Sequence, residues 1–299
     1  MTIVQGARAI GETAGEWVGG ANLRGQARHF HLRWPFWLCV AWLAGLAIAA
    51  AAAGALPLSD PLATNIVNHL MPPNTNFWLG TDQLGRDLLA RVIYGARVSL
   101  TVAFGATFIA AAFGILLGLP AGYFRGRIET LLMGAADIGL AFPSIVLILL
   151  VAAYAGAGVI NLVLVLGILG IPISMRIARA VTLTFAQREF VVAARALGAS
   201  HLRIMRRELL PNVALPVAVL AVIGMSRVIV IEGSLSFLGL SVAPPTPTWG
   251  NMIALGMSEI AFHPHISFVP SAFMVITIFA LNSVGNMLRK TIDVREGLL

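Results

Sequence analysis

Charge is scarce in this chain. Of 299 residues only 11% are Asp, Glu, Lys or Arg, against 58% hydrophobic, and mean hydropathy is +0.88. So little polar surface excludes a soluble domain of ordinary composition and makes lipid the natural solvent. Cysteine is represented by Cys39 alone, in an apolar stretch, which excludes an intrachain disulfide framework. The single lysine, Lys290, follows Arg289 where a phosphate-cradling Gly-x-x-x-x-Gly-Lys-Ser/Thr loop requires glycine, so that route to binding ATP is closed. Neither His-Glu-x-x-His nor Gly-x-Ser-x-Gly occurs, and the six histidines are scattered. His263 and His265 flank Pro264, but two imidazoles in a wet loop read as polar loop residues rather than metal ligands. The expectation is no catalytic residue and no metal. The first 34 residues carry Arg8, Arg24, Arg28 and Arg33 and no sustained apolar run, which argues for a cytoplasmic tail over a secretory signal.

Long apolar runs are what the chain has in quantity. At 1.5 Å per residue, about six segments reach across roughly 30 Å of hydrocarbon: residues 35–56, 98–123, 131–154, 159–175, 213–231 and 266–287. Helices are the assignment, because backbone in lipid must satisfy its own hydrogen bonds. The fold class expected is an all-α membrane protein. With the amino terminus inside, sixteen Lys and Arg fall on cytoplasmic segments and only Arg86, Arg91 and Arg97 outside, an asymmetry that places both termini in the cytoplasm. The same distribution accounts for the net charge of +7 without nucleic acid. The layout expected is a tail at 1–34, a first transmembrane helix at 35–56, an external loop at 57–97, a transmembrane core at 98–287, and a tail at 288–299. Within the core lie a cytoplasmic loop at 176–212 and an external loop at 232–265.

Both external loops are too long for simple turns. In the first, Thr81-Asp82 can cap a helix that runs from about Leu84 into the second span. In the second, Pro244, Pro245 and Pro247 stiffen the chain ahead of Trp249-Gly250. Charges within spans are functional suspects by cost: Asp137, about two turns from the cytoplasmic end of its helix, and Arg227, which lies one turn below Glu232 and can snorkel outward or pair locally. Pairing is preferred for both over proton relay or cargo contact. Pro143 should kink the third span into a pivot. Asp137, Pro143, Arg227 and Glu232 are therefore the pathway or gating candidates. Gly114, Gly118 and Gly122 repeat every four residues, the close-packing signature of membrane helices, with a facing helix either in this chain or in another.

The cytoplasmic loop reads as helix, turn, helix. Phe190, Ala193, Ala194 and Leu197 share a face, Gly198 can take positive φ, and Ser200 can cap a second helix. Leu202, Met205 and Leu209 form an apolar stripe there, opposed by Arg203, Arg206 and Arg207, and Pro211 ends it before the fifth span. The pattern fits a helix that enters a groove on a partner and equally a basic helix that anchors the loop on lipid headgroups.

Resemblance separates the two. Ala193, Ala194, Gly198, Leu210 and Pro211 match in register the Glu-Ala-Ala-x-x-x-Gly…Leu-Pro loop of the membrane subunits of ATP-binding-cassette (ABC) importers. Val192 stands where that pattern has its acid, and Glu208 where it has isoleucine. Leu79 to Asp87, Tyr94 to Leu100, Asp137 to Pro143 and Glu232 to Asn251 are similar to the C-type subunit of dipeptide and oligopeptide permeases. The resemblance implies a type I, MetI-like permease fold and transport of peptides, or of a related solute such as nickel or haem. It implies a second, B-type permease, two cytosolic ABC ATPases or one fused ATPase that bind ATP and Mg, and an extracytoplasmic substrate-binding protein. It also implies that Glu189, Phe190, Ala193, Ala194, Arg195, Ala196, Leu197, Gly198, Ala199 and Ser200 form the helix that docks on the ATPases. This chain would bind no cofactor. The rival readings are an ion-coupled transporter using Asp137 and a noncatalytic membrane scaffold.

Overall fold

The computed structural model describes residues 34–156 and 158–296, so the expected amino-terminal tail with its arginines lies outside the described residues apart from Trp34. The described chain is helical. Its elements are α1 (Trp34–Ala51), α2 (Leu88–Phe124), α3 (Gly126–Ala141), α4 (Ser144–Ala155), α5 (Val159–Phe185), α6 (Glu189–Ala196), α7 (His201–Arg203), a π-helical stretch Ile204–Leu209, α8 (Leu210–Phe237), α9 (Trp249–Gly256) and α10 (His265–Glu296). Five of the helical runs are long and apolar enough to cross a membrane, and α3 with α4 makes a further crossing only as a bent pair.

Three expectations change at this level. The third span is not a kinked helix but two helices meeting at 76°. Phe142 is extended at φ −80° and ψ 133°, because the residue before a proline is driven out of the α region, so the helix ends there instead of bending. The second span begins at Leu88, and its cap is Asp87, which accepts a hydrogen bond from the Leu89 N–H at 3.0 Å. Asp82, expected in that role, accepts instead from the N–H groups of Leu84 and Arg86 and from the Arg86 Nε at 2.7 Å. The Arg91 Nε lies 3.3 Å from the same carboxylate. Pro211, finally, does not stop the helix that precedes it. The π-helical turn at Ile204–Leu209 absorbs the missing N–H, and the helical path from His201 to Phe237 runs through.

The seam between α2 and α5 organises the bundle. A methyl group on Gly122 would sit 2.7 Å from the Arg179 carbonyl oxygen, one on Gly118 would meet the Ala178 Cβ at 2.8 Å, and Gly114 lies equally close to Ser174. From the other side Gly170 would meet the Ala110 Cβ at 2.8 Å. The helix facing the glycine stripe therefore belongs to this chain, and absence of side chains on both helices lets the backbones approach. Above the seam, Leu88, Val92, Ala96 and Ala103 of α2 pack with Ile229 of α8, Trp249 and Met252 of α9, and Ile266 and Leu281 of α10. The Trp249 indole, fully buried, donates to the Val92 carbonyl at 3.1 Å.

Gly118→Ala should destabilise the chain by about 1–3 kcal/mol through overpacking, whereas Gly134→Ala, whose Cβ has nothing within 4 Å, should not. Thermal unfolding of the two purified variants in one detergent checks the contrast.

Candidate functional site: the cytoplasmic loop and the charges within the spans

The helix-turn-helix of the loop is present and locally determined. α6 closes in a Schellman turn: the Ala199 N–H donates to the Ala194 carbonyl and the Gly198 N–H to the Arg195 carbonyl, each at 3.0 Å. Gly198 has φ +78°, the left-handed conformation that such a turn requires and a side chain resists. Ser200 then caps the following helix, accepting from the Arg203 N–H at 3.4 Å. Beneath the loop, Val191, Ile204 and Leu209 are buried with Leu119 and Tyr123 of α2, and Ala194, Ala199 and Met205 pack at the margin.

The expected apolar faces are partly redrawn. Phe190, Ala193 and Leu197 are exposed, Leu197 to 88%, while Ala194 turns inward beside Val191. Glu189, Arg195, Ala196 and Ser200 also lie on the open side. In the second helix Leu202 is exposed and Ile204 takes its place in the stripe. Sequence reasoning missed the anchor that ties this unit to the bundle. The Tyr123 hydroxyl lies 2.8 Å from His201 Nδ1, and the Arg195 guanidinium stands 5.6 Å over the Tyr123 ring. Tyr123 and His201 are 78 residues apart, so no local spacing signals the pair.

The charges within the spans separate into distinct environments. Asp137 pairs with Arg176, both side chains more than half exposed. Nearby the Arg179 Nε donates to Glu129 Oε1 at 2.7 Å, so two ion pairs join α3 to α5. Glu232 is only 1% exposed and accepts from the hydroxyls of Ser241 at 2.8 Å, and of Ser99 and Ser236 at 3.2 Å. Ser99 in turn accepts from the Trp249 N–H at 3.4 Å, so this carboxylate ties α2, α8 and the second external loop together. Arg227 does not pair with Glu232. Five residues along a helix turn through about 140°, which puts Glu232 in the core and leaves Arg227 exposed on the far side of α8. No hydrogen bond or ion pair engages Arg227 among the described residues. Such a cation facing lipid would cost about 2.5–3.5 kcal/mol. Pro143 lies in the break between α3 and α4, on an exposed stretch.

Two small cavities among the described residues measure about 20 Å³, beside Asp82 and Arg91, and about 10 Å³, beside Gly156 and Leu240. Each is the size of a water site, and no group of three or more metal-ligating side chains forms among the described residues.

The described residues thus form membrane-crossing helices with a structured loop open on one face. Residues 114–296 match the binding-protein-dependent transport system inner membrane component family, and the chain belongs to it, as the permease subunit of an ABC importer in the inner membrane. The chain is 40% identical over 230 residues to the di/tripeptide transport system permease protein DppC of Pseudomonas aeruginosa strain UCBPP-PA14, covering 75% of this chain and 76% of that one. It is 38% identical over 221 residues to the glutathione transport system permease protein GsiD of Escherichia coli O6:K15:H31, covering 74% and 73%. Among solved structures, an inward-facing conformation of the MetNI methionine ABC transporter aligns with TM-score 0.50 and 20% identity over 68% of this chain and 97% of that one. An amino acid ABC transporter with histidines aligns with TM-score 0.51 and 16% identity over 68% and 94%. The type I, MetI-like permease fold expected from the motifs is the fold found.

Removing the Glu232 carboxylate should leave the Ser99 and Ser241 hydroxyls without their acceptor. Glu232→Ala should cost about 1–3 kcal/mol per group left unsatisfied, seen as a lowered melting temperature of the purified chain, and Glu232→Gln should recover part of it.

Proposed function

We propose that this permease subunit moves di- or oligopeptides, or a related small solute, inward across the cytoplasmic membrane, driven by ATP hydrolysed in partner chains that dock on the Glu189 to Ser200 unit. The observation that carries the reading is the outer face of that unit. Leu197 stands 88% exposed beside exposed Phe190 and Ala193, on a turn held rigid by Gly198 and seated on a buried core. A large apolar side chain presented on a rigid base suits a protein groove. The cargo class is supported by the printed activities of the relatives, one a di/tripeptide and one a glutathione permease.

The assembly in this proposal adds a B-type permease, an extracytoplasmic substrate-binding protein, and two cytosolic ABC ATPases or one fused ATPase that hold ATP and Mg. This chain itself performs no hydrolysis. Both termini lie in the cytoplasm, as the arginine distribution supports. Closure of the ATPases on ATP displaces the docked loop, and the displacement passes to α8 through the continuous path from His201 and to α5 through residues 186–188. A near-complete switch between inward-open and outward-open states needs ATP to favour one of them by about 5.5 kcal/mol.

The test is uptake by the complex reconstituted with its partners. Gly198→Asn preserves left-handed backbone, which Asn tolerates, but adds bulk at a position where a Cβ has nothing of this chain within 4 Å. It should cut ATP-driven uptake roughly tenfold, the loss of about 1.4 kcal/mol of docking energy, while the ATPases keep hydrolysing. Val192→Glu, restoring the acid of the related pattern on an exposed site, should be tolerated. Normal uptake by the Gly198→Asn complex would reject the docking role. Because Asp137 is held by Arg176, Asp137→Asn should leave uptake dependent on ATP, and complete loss at equal expression would favour ion coupling instead.

A further inference from the structure

We propose that Arg227 is a cargo-binding residue: its guanidinium faces the translocation pathway and engages the carboxylate of the solute as it passes. This rests on the peptide-import reading above and adds to it a specific site with a specific ligand chemistry.

Arg227 lies ten residues below Phe237 on α8, about 15 Å from the external end of the helix at 1.5 Å per residue. It is exposed, with exposed Val230, Ile231 and Ser234 on the same side of the helix. The opposite side is occupied by buried Ile229, Glu232 and Ser236. The cation thus has no access to the polar cluster around Glu232, and no acid of the described chain reaches it. An arginine within a span is costly unless it snorkels to the interface, and those that persist almost always face water or pair with an anion.

A further observation points to cargo: α8 is the helix that continues, by way of the π-helical turn, from the loop proposed to meet the ATPases, and Arg227 rides about 39 Å along that path from His201. A cation carried on the driven helix holds an anionic solute in one state of the cycle and releases it in the other. Peptides and glutathione carry free carboxylates, and a guanidinium binds a carboxylate through paired N–H donors.

The experiment uses the full complex in proteoliposomes with trialanine as probe. Arg227→Gln should lower ATP-driven trialanine uptake roughly tenfold or more, the usual consequence of removing one partner of a desolvated charge pair; Arg227→Lys should restore a large part of it. In a Cys39→Ala background, which removes the only native thiol, Arg227→Cys should react with a charged methanethiosulfonate reagent. Binding protein loaded with trialanine should slow that reaction. Unchanged uptake in Arg227→Gln, or a thiol at 227 that stays unmodified in every nucleotide state, overturns the proposal. Loss of the second permease from the purified Arg227→Gln complex also overturns it, assigning the arginine to an acid on that subunit. If the native complex imports no trialanine, the peptide reading fails, and the labelling result still decides whether residue 227 faces water.

Discussion

The close approach of α2 and α5 is the constraint on which the rest of the structure depends. Lipid supplies no hydrophobic drive for one apolar helix to leave it and join another, so association rests on packing. Gly114, Gly118 and Gly122 on one side, and Gly167 and Gly170 on the other, bring two backbones close over more than two turns. With that pair set, the ends of both helices next to the loop become a platform. Tyr123 holds His201, and Arg179 holds Glu129. The loop and the broken α3/α4 pair are both attached to this one seam.

At its opposite end the same helix α2 is fixed by polar contacts. The buried Glu232 gathers hydroxyls from α2, α8 and the following loop, and Trp249 reaches back to Val92. Gln83, in the segment before α2, donates to the Leu255 carbonyl at 2.9 Å and to Ser258 at 2.8 Å, so that segment is held to the one between α8 and α10. The subunit is braced at one end by the buried hydrogen bonds around Glu232 and Trp249, and at the other by packing, the Arg179–Glu129 ion pair and the Tyr123–His201 contact. Between the braces, α8 presents Arg227 on an open face.

Much of the candidate site could be read from residues because its causes are local. Gly198 followed by Ser200 specifies an αL turn and a new helix cap within a few residues, and both form as the pattern predicts. The match to the importer loop likewise needs only spacing. Errors arose where a residue had competing partners. Asp82 can cap a helix, but two arginines and a loop turn claim its carboxylate, and Asp87 caps instead. Arg227 and Glu232 look close in sequence, yet helical rotation sends them to opposite sides. Applied strictly, the same periodicity that located the span would have excluded that pair.

Composition and short-range pattern sufficed for the helical class, the places of the apolar runs, the uneven distribution of arginine along the chain and the shape of the loop. These follow from composition and from interactions between residues a few positions apart. Tertiary structure alone decided which helix fills the glycine stripe, that Asp137 pairs with Arg176, that Glu232 is enclosed by hydroxyls, and that Arg227 is left open. Those outcomes depend on partners distant in the chain. A membrane-embedded charge must be satisfied by whatever the fold brings to it, and no local pattern encodes that choice.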